Sequence, residues 1–179
     1  KMQQTLDVIL EAERLGFDSV WTGEAWGSDV ISFLAFVGAR TSRIKLGAGI
    51  LQMQARTPAM AAMSAMTLDG LSNGRFIIGL GPSNPQVIEG WHGVPFDSPL
   101  GRTREYIEII RKALSGAPVD HQGKFYQMER FRMISPPVQE RLPIYIASLG
   151  PKNLALTGEV ADGWLPVWAN RERLPELLE

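Results

Sequence analysis

Apolar positions along this chain recur with two periods that take turns: a helical period of three to four residues, and short continuous runs of four to eight. Leu6, Ile9 and Leu10, joined by Val8, Ala12 and Leu15, make a broad stripe that predicts a helix over residues 2–15, ended by Gly16. Asp18–Thr22 reads as a first strand. Ser28 is the predicted N-cap of a helix through Ile31, Leu34, Ala35 and Gly38, and Ile44–Leu51 is the second strand. Thr57 caps the next predicted helix, with Pro58 at its first position, where no amide hydrogen is needed; Met60, Met63 and Met66 recur along it as core fillers until Gly74. Arg75–Leu80 is the third strand. Tyr106, Ile109, Ile110, Ala113 and Leu114 mark one face of a helix at 101–115, ended by Gly116. Pro143–Ala147 and Gly163–Val167 are further strands, separated by a helix beginning near Pro151, and a last helix starts at Arg171.

Strands that begin near 18, 44, 75, 143 and 163, with helices between them, predict a parallel α/β architecture. One interval, about 84–142, is too long for a single crossover and reads as an insertion. Within it Val119–Met133, with Gly123 between Val119 and the pair Phe125 and Tyr126, predicts a hairpin or lid. A βα barrel takes eight units and typically about 250 residues, so five strands in 179 residues predict an incomplete barrel. The competing architecture is a doubly wound sheet. Gly79, Gly81 and Asn84 match a dinucleotide fingerprint only in part: the third glycine is absent, and Asp97 falls in a loop. Ser83, in Gly-Pro-Ser-Asn-Pro, lacks the closing glycine of a hydrolase nucleophile elbow.

Two successive strands leave through paired glycines, Gly47 and Gly49 and then Gly79 and Gly81. Glycine at a strand exit predicts a bulge or a close approach of backbone to a bound group. Composition narrows the field. The chain is 45% hydrophobic with a formal net charge of −1, and its 18 Lys and Arg form no basic block, so a nucleic-acid partner is not expected. The absence of cysteine removes disulfides, thiolate nucleophiles and cysteine metal sites, and two distant histidines make no metal constellation. No signal peptide or membrane span is recognisable; a cytoplasmic location and a small-molecule substrate are the default expectations.

The segments AERLGFDSV, RTSRIKLGAGI, LDGLSNGRFIIGLG, EGWHGVPF and ASLGPKNLALTGEVADGW, taken in order, resemble the bacterial luciferase-like flavin and deazaflavin oxidoreductases. The similarity is greatest to the group, dependent on the deazaflavin coenzyme F420, that contains methylenetetrahydromethanopterin reductase. The resemblance implies a (β/α)8 TIM barrel with an insertion, of which this sequence would lack the first strand and the last two or so. It implies a hydride transfer between bound coenzyme F420 and a small organic substrate, and a homo-oligomer, a dimer. The alternatives are an FMN-dependent monooxygenase served by a flavin reductase partner, or a non-catalytic flavin-binding relative.

The same resemblance places candidate site residues at the C-terminal ends of the strands, with Trp168 on that rim. Gly49 and Ile50 align with a non-prolyl cis peptide bulge that presses on the back of the cofactor ring. Ser148, Leu149, Gly150 and Lys152 surround a helix start suited to a phosphate. Gly81 borders the ring, and Ser83 and Gln86 offer bonds to the ribityl chain or the phosphate, with a polar turn between Pro82 and Pro85 as the plain alternative. Lys124, Arg130 and Arg132 suggest a polar exit for the cofactor's acidic tail. Glu24, at the end of strand one, is the acid–base candidate if an apolar cleft raises its pKa; Ala25 stands where relatives carry a catalytic histidine. His92, beside Trp91, is the second catalytic candidate, whereas His121 is expected to be solvated.

Overall fold

The computed structural model describes residues 1–167, 169, 170, 172 and 174–178. Helix α1 (Met2–Arg14) leads into strand β1 (Ser19–Thr22), and helix α2 (Val30–Gly38) into strand β2 (Lys45–Ala48). The cap of α2 is Asp29 rather than Ser28. Its carboxylate sits one residue nearer the helix and accepts the Ser32 amide at 2.7 Å. The second strand is also not continuous to Leu51: the Gly49–Ile50 peptide bond is cis, and the chain resumes as β3 (Leu51–Gln52) and a single 3-10 turn, Met53–Ala55. Helix α3 (Pro58–Leu71) starts as expected at a Thr57 cap, whose side chain accepts the Met60 amide at 3.2 Å.

Strand β4 (Phe76–Gly81) is buried throughout. The polar turn expected after it is instead helix α4 (Pro85–Gly90), capped by the Asn84 side chain on the Val87 amide. Helix α5 (Pro99–Leu114) begins two residues before the predicted 101 because Pro99 suits a first helical position. The hairpin anticipated in the insertion is present as antiparallel β5 (Val119–Gln122) and β6 (Gln127–Phe131). Strand β7 (Ile144–Ile146), helix α6 (Pro151–Val160) and strand β8 (Gly163–Trp164) complete the repeat. The last strand is shorter than expected: Leu165 still donates its amide to Ile146, but Pro166 has none to give. A final helix α7 spans Leu174–Leu178; Trp168 and Arg171, singled out by sequence, lie outside the described residues.

All sheet pairings except the hairpin are parallel, in the order β1-β2-β4-β7-β8 with β3 on β4. That order advances in one direction. A doubly wound sheet reverses at a switch point, so the order favours the barrel type of winding. Val20, Leu46, Phe76, Ile78, Ile144 and Ile146 share the face covered by helices, and all but the partly buried Val20 are buried in the core there. Trp21, Gly47, Ile77, Gly79, Tyr145 and Gly163 share the other face. Bulky rings there lie over glycines: a Cβ on Gly47 would come within 2.3 Å of the Trp21 ring, and one on Gly163 within 2.7 Å of Tyr145.

The edge where strands begin is tied by side chains. Arg75 donates to the carbonyls of Ser72, Ile44, Gly38 and Thr41, and Arg111 of α5 reaches Asp162 and the Leu142 carbonyl. No helix among the described residues is long and apolar enough to cross a membrane.

Candidate functional site

At the opposite edge, where the strands end, five exits converge on a cavity of about 510 Å³. Trp21 forms one wall, its ring 5.6 Å from that of Tyr145. The cis bulge is the next: the Gly49 amide donates to Thr22 at 2.7 Å, and the Ile50 carbonyl accepts from Glu24 at 3.2 Å. On its far side Gly81 makes room for the bulge, since a Cβ there would stand 2.5 Å from Ile50 Cδ1. Gly79 is tighter still, with a would-be Cβ 1.7 Å from the Ala48 carbonyl oxygen. The glycine pairs therefore serve both purposes read from the sequence, a bulge and close backbone approach.

Strand β7 leaves through Ala147, Ser148 and Leu149, which line the same cavity. Ser148 is buried; its hydroxyl lies 2.9 Å from Thr157 Oγ1 and its carbonyl accepts the Trp164 indole N–H at 3.1 Å. That hydroxyl is thus engaged in holding the turn, while Leu149 stands exposed beside it. In the first turn of α6, Asn153 also lines the cavity, and its side-chain oxygen is buried without a hydrogen-bond partner. A buried polar atom of this kind is costly unless something supplies a partner. Of the expected cofactor residues, Gly49, Ile50, Gly81, Ser83, Ser148 and Leu149 come together here. Gly150 instead lines a neighbouring cavity of about 670 Å³ between α6, β8 and α7, whereas Gln86, on α4, and Lys152 are exposed and line neither. Asn153, Leu165 and Pro166 were missed. Asn153 is legible in principle as the third residue of a helix opening directly from a strand exit.

Next to this cavity, across the Glu24–Ile50 backbone bond, lies a smaller one of about 300 Å³ lined by both catalytic candidates. The apolar cleft expected around Glu24 is not there. Its carboxylate pairs with the Arg56 guanidinium at 2.5 Å and faces the amides of Val30 and Gln52, both at 3.4 Å. Arg56 also pairs with Asp29. Burial pushes the Asp29 carboxyl up, but hydrogen bonds from Ser32 and the Arg56 charge outweigh it and hold the group below its ordinary value. His92 Nε2 lies 2.9 Å from Gln52 Oε1, and the fully buried Gln52 donates its amide N–H to the Ala25 carbonyl at 3.1 Å. Trp26 and Trp91, both largely exposed, flank the opening.

The insertion stands apart from these cavities. His121 is buried rather than solvated, 3.4 Å from Glu105, because β5 turns that side chain onto α5. Arg132 donates to the Gly116 carbonyl, at the end of α5 that meets the strand starts, so it cannot serve an exit at the strand ends. Among the described residues no three His, Asp or Glu side chains gather as a metal site.

The large cavity suits a flat cofactor: an apolar floor at Ile50, ring walls at Trp21 and Leu165, and a polar end at Ser83 and Asn153. Known proteins agree with that shape. The chain is 44% identical over 178 residues to a Mycobacterium tuberculosis protein provisionally named a coenzyme F420-dependent oxidoreductase, covering 93% of this chain and 51% of that one. It is 37% identical over 155 residues to the 5,10-methylenetetrahydromethanopterin reductase of Methanolobus tindarius, covering 86% and 47%. The structure of the coenzyme F420-dependent tetrahydromethanopterin reductase from Methanopyrus kandleri superimposes with a TM-score of 0.85 at 30% identity, over 93% of this chain and 52% of that one. The chain spans about half the length of the curated relatives it matches, and its five parallel strands form part of a luciferase-like TIM barrel. The model of the luciferase-like monooxygenase family matches residues 1–179, and the chain belongs to that family.

Proposed function

We propose that this chain forms the cofactor-holding part of an oxidoreductase that passes a hydride between bound coenzyme F420 and a small organic substrate. The observation that carries the reading is the cavity at the strand exits, floored by Ile50 and ending at the unpartnered side-chain oxygen of Asn153. The names of the similar reductases favour the deazaflavin over FMN. In this reading Gly49 and Ile50 back the ring, Gly81 admits Ile50, and Ser83, Leu149 and Asn153 border the ribityl chain and phosphate. The amides of Lys152 and Asn153 precede the first backbone bond of α6, from Leu154 to Gly150, and are placed to receive an anion. Ser148 positions that turn through Thr157, and Lys152 adds only distant charge.

The deazaflavin, when bound, takes up or gives a hydride, and the protein's tasks are to hold the ring, exclude water and handle the proton. His92 is the proton-handling group. Glu24, committed to Arg56, shapes the chamber in which His92 works. Titration of the purified protein with coenzyme F420 and with FMN, followed by cofactor fluorescence, tests this. The deazaflavin should bind more tightly, and Asn153→Ala should weaken it roughly tenfold, about the value of one hydrogen bond. Much tighter FMN binding, with no hydride transfer to or from the deazaflavin by any donor or acceptor, would replace this reading with the monooxygenase one.

A further inference from the structure

The smaller cavity has a definite charge and a definite free nitrogen. Among the described residues lining it, Glu24 and Asp29 each contribute one negative charge and Arg56 one positive, so the sum is one negative charge. Arg56 has a carboxylate on either side, through Nη1 to Glu24 and Nη2 to Asp29, and is not presented to an incoming anion. The histidine state follows from hydrogen-bond logic. The Ala25 carbonyl can only accept, so the amide nitrogen of Gln52 must face it and the amide oxygen must face His92. That oxygen also only accepts. His92 Nε2 therefore carries the hydrogen, and in the neutral ring Nδ1 keeps the lone pair.

We infer that this chamber selects a neutral hydroxyl- or carbonyl-bearing substrate with an apolar body, its oxygen meeting His92 Nδ1, and that it rejects carboxylate- and phosphate-bearing compounds. Gln52 is the positioning residue that fixes the histidine tautomer, and the exposed indoles of Trp26 and Trp91 cover the apolar body. The inference rests on the hydride-transfer reading above. For an alcohol, the O–H proton goes to Nδ1 while the C–H hydride leaves to the oxidised deazaflavin, and the C–O bond becomes a carbonyl. In the other direction the Nδ1 proton returns to the oxygen as the carbon gains the hydride.

The chain has only two histidines, which makes nitrogen-15 NMR of the histidine-labelled protein a direct readout. His92 should show a protonated Nε2 and a bare Nδ1. Cyclohexanol and cyclohexanone should move the Nδ1 signal, binding at least about fivefold more tightly than cyclohexanecarboxylate, whose charge meets the net negative chamber. Asp29→Asn, which keeps the helix cap, should narrow that gap and leave cyclohexanol binding unchanged. Gln52→Leu should abolish the tautomer preference, and Gln52→Glu, which keeps an acceptor, should restore it. A His92 protonated at Nδ1, a carboxylate bound as tightly as the alcohol, or a His92 unmoved by all three probes would overturn the inference. Cofactor titration separates the two failures. A silent His92 in a protein that binds coenzyme F420 sinks this inference alone, whereas an alcohol response in a protein that binds only FMN sinks the cofactor reading alone.

Discussion

At Gly79 an added methyl group would meet the Ala48 carbonyl oxygen at 1.7 Å, and backbone on both sides leaves it nowhere to go. Gly79→Ala should therefore cost about 3 kcal/mol or prevent folding, read as a lower midpoint in urea unfolding. Gly81 differs in kind. The atom its Cβ would meet is Ile50 Cδ1, the mobile end of a side chain, so Gly81→Ala should fold with a smaller loss. The displaced isoleucine would then enter the large cavity, and coenzyme F420 affinity should fall more than stability does. A variant that folds normally and binds the cofactor normally would show that Ile50 does not floor the ring site.

Among the elements, the insertion hairpin depends on one carboxylate. Glu105 on α5 accepts the backbone amides of Lys124, Phe125 and Tyr126 at 2.9, 3.0 and 3.1 Å and also faces His121. Burial pushes its pKa up, but these bonds outweigh that and hold it below the ordinary value. Glu105→Gln keeps the shape and loses the charge and one acceptor oxygen, so about 1–2 kcal/mol of hairpin docking should go. Hydrogen exchange at residues 119–131 is the measurement, and the loss should be local to β5 and β6. Thr57→Ala gives a comparison at a plain helix end, where losing the cap on the Met60 amide should cost about 1 kcal/mol.

Over the whole molecule, carboxylates tie distant parts of the chain together, and they set its acid limit. Asp162 joins Arg111, Arg141 and the Ile144 amide, and Glu13 accepts the amides of Ser42, Arg43 and Ile44. For both, burial raises the pKa but the partners outweigh it, and the folded value lies below the ordinary one, 3.8 for Asp and 4.5 for Glu. Groups lowered on folding contribute fully above those ordinary values and lose their contribution as pH falls through the lowered ones. The melting temperature should hold near neutrality and fall on acidification below about pH 4, as carboxylates of this kind protonate. Asp162→Asn should flatten that acid limb while lowering stability at neutral pH. An unchanged acid limb in this variant would mean that Asp162 is no better paired in the folded state than in the unfolded one.

The periodicity of Leu6 to Leu10, Ile31 to Gly38 and Tyr106 to Leu114, with the glycines and prolines between them, was enough to read a parallel βα repeat. Local propensity and burial agree at those positions. Glycines at strand exits likewise announced a ligand edge, because a missing Cβ matters in few other ways there. Pairing was beyond the reach of that reading. That Glu24 spends its charge on Arg56, 32 positions away, and that His92 finds Gln52, 40 positions away, depends on which strand exits become neighbours. The same holds for Asn153, whose first-turn position is legible while its buried, unpartnered oxygen is not. Local sequence determines which way a segment winds and which face it hides, since those choices are made among residues a few positions apart. The partner a buried polar group meets is decided by tertiary packing, because only the closed fold removes water and leaves each donor one acceptor to find.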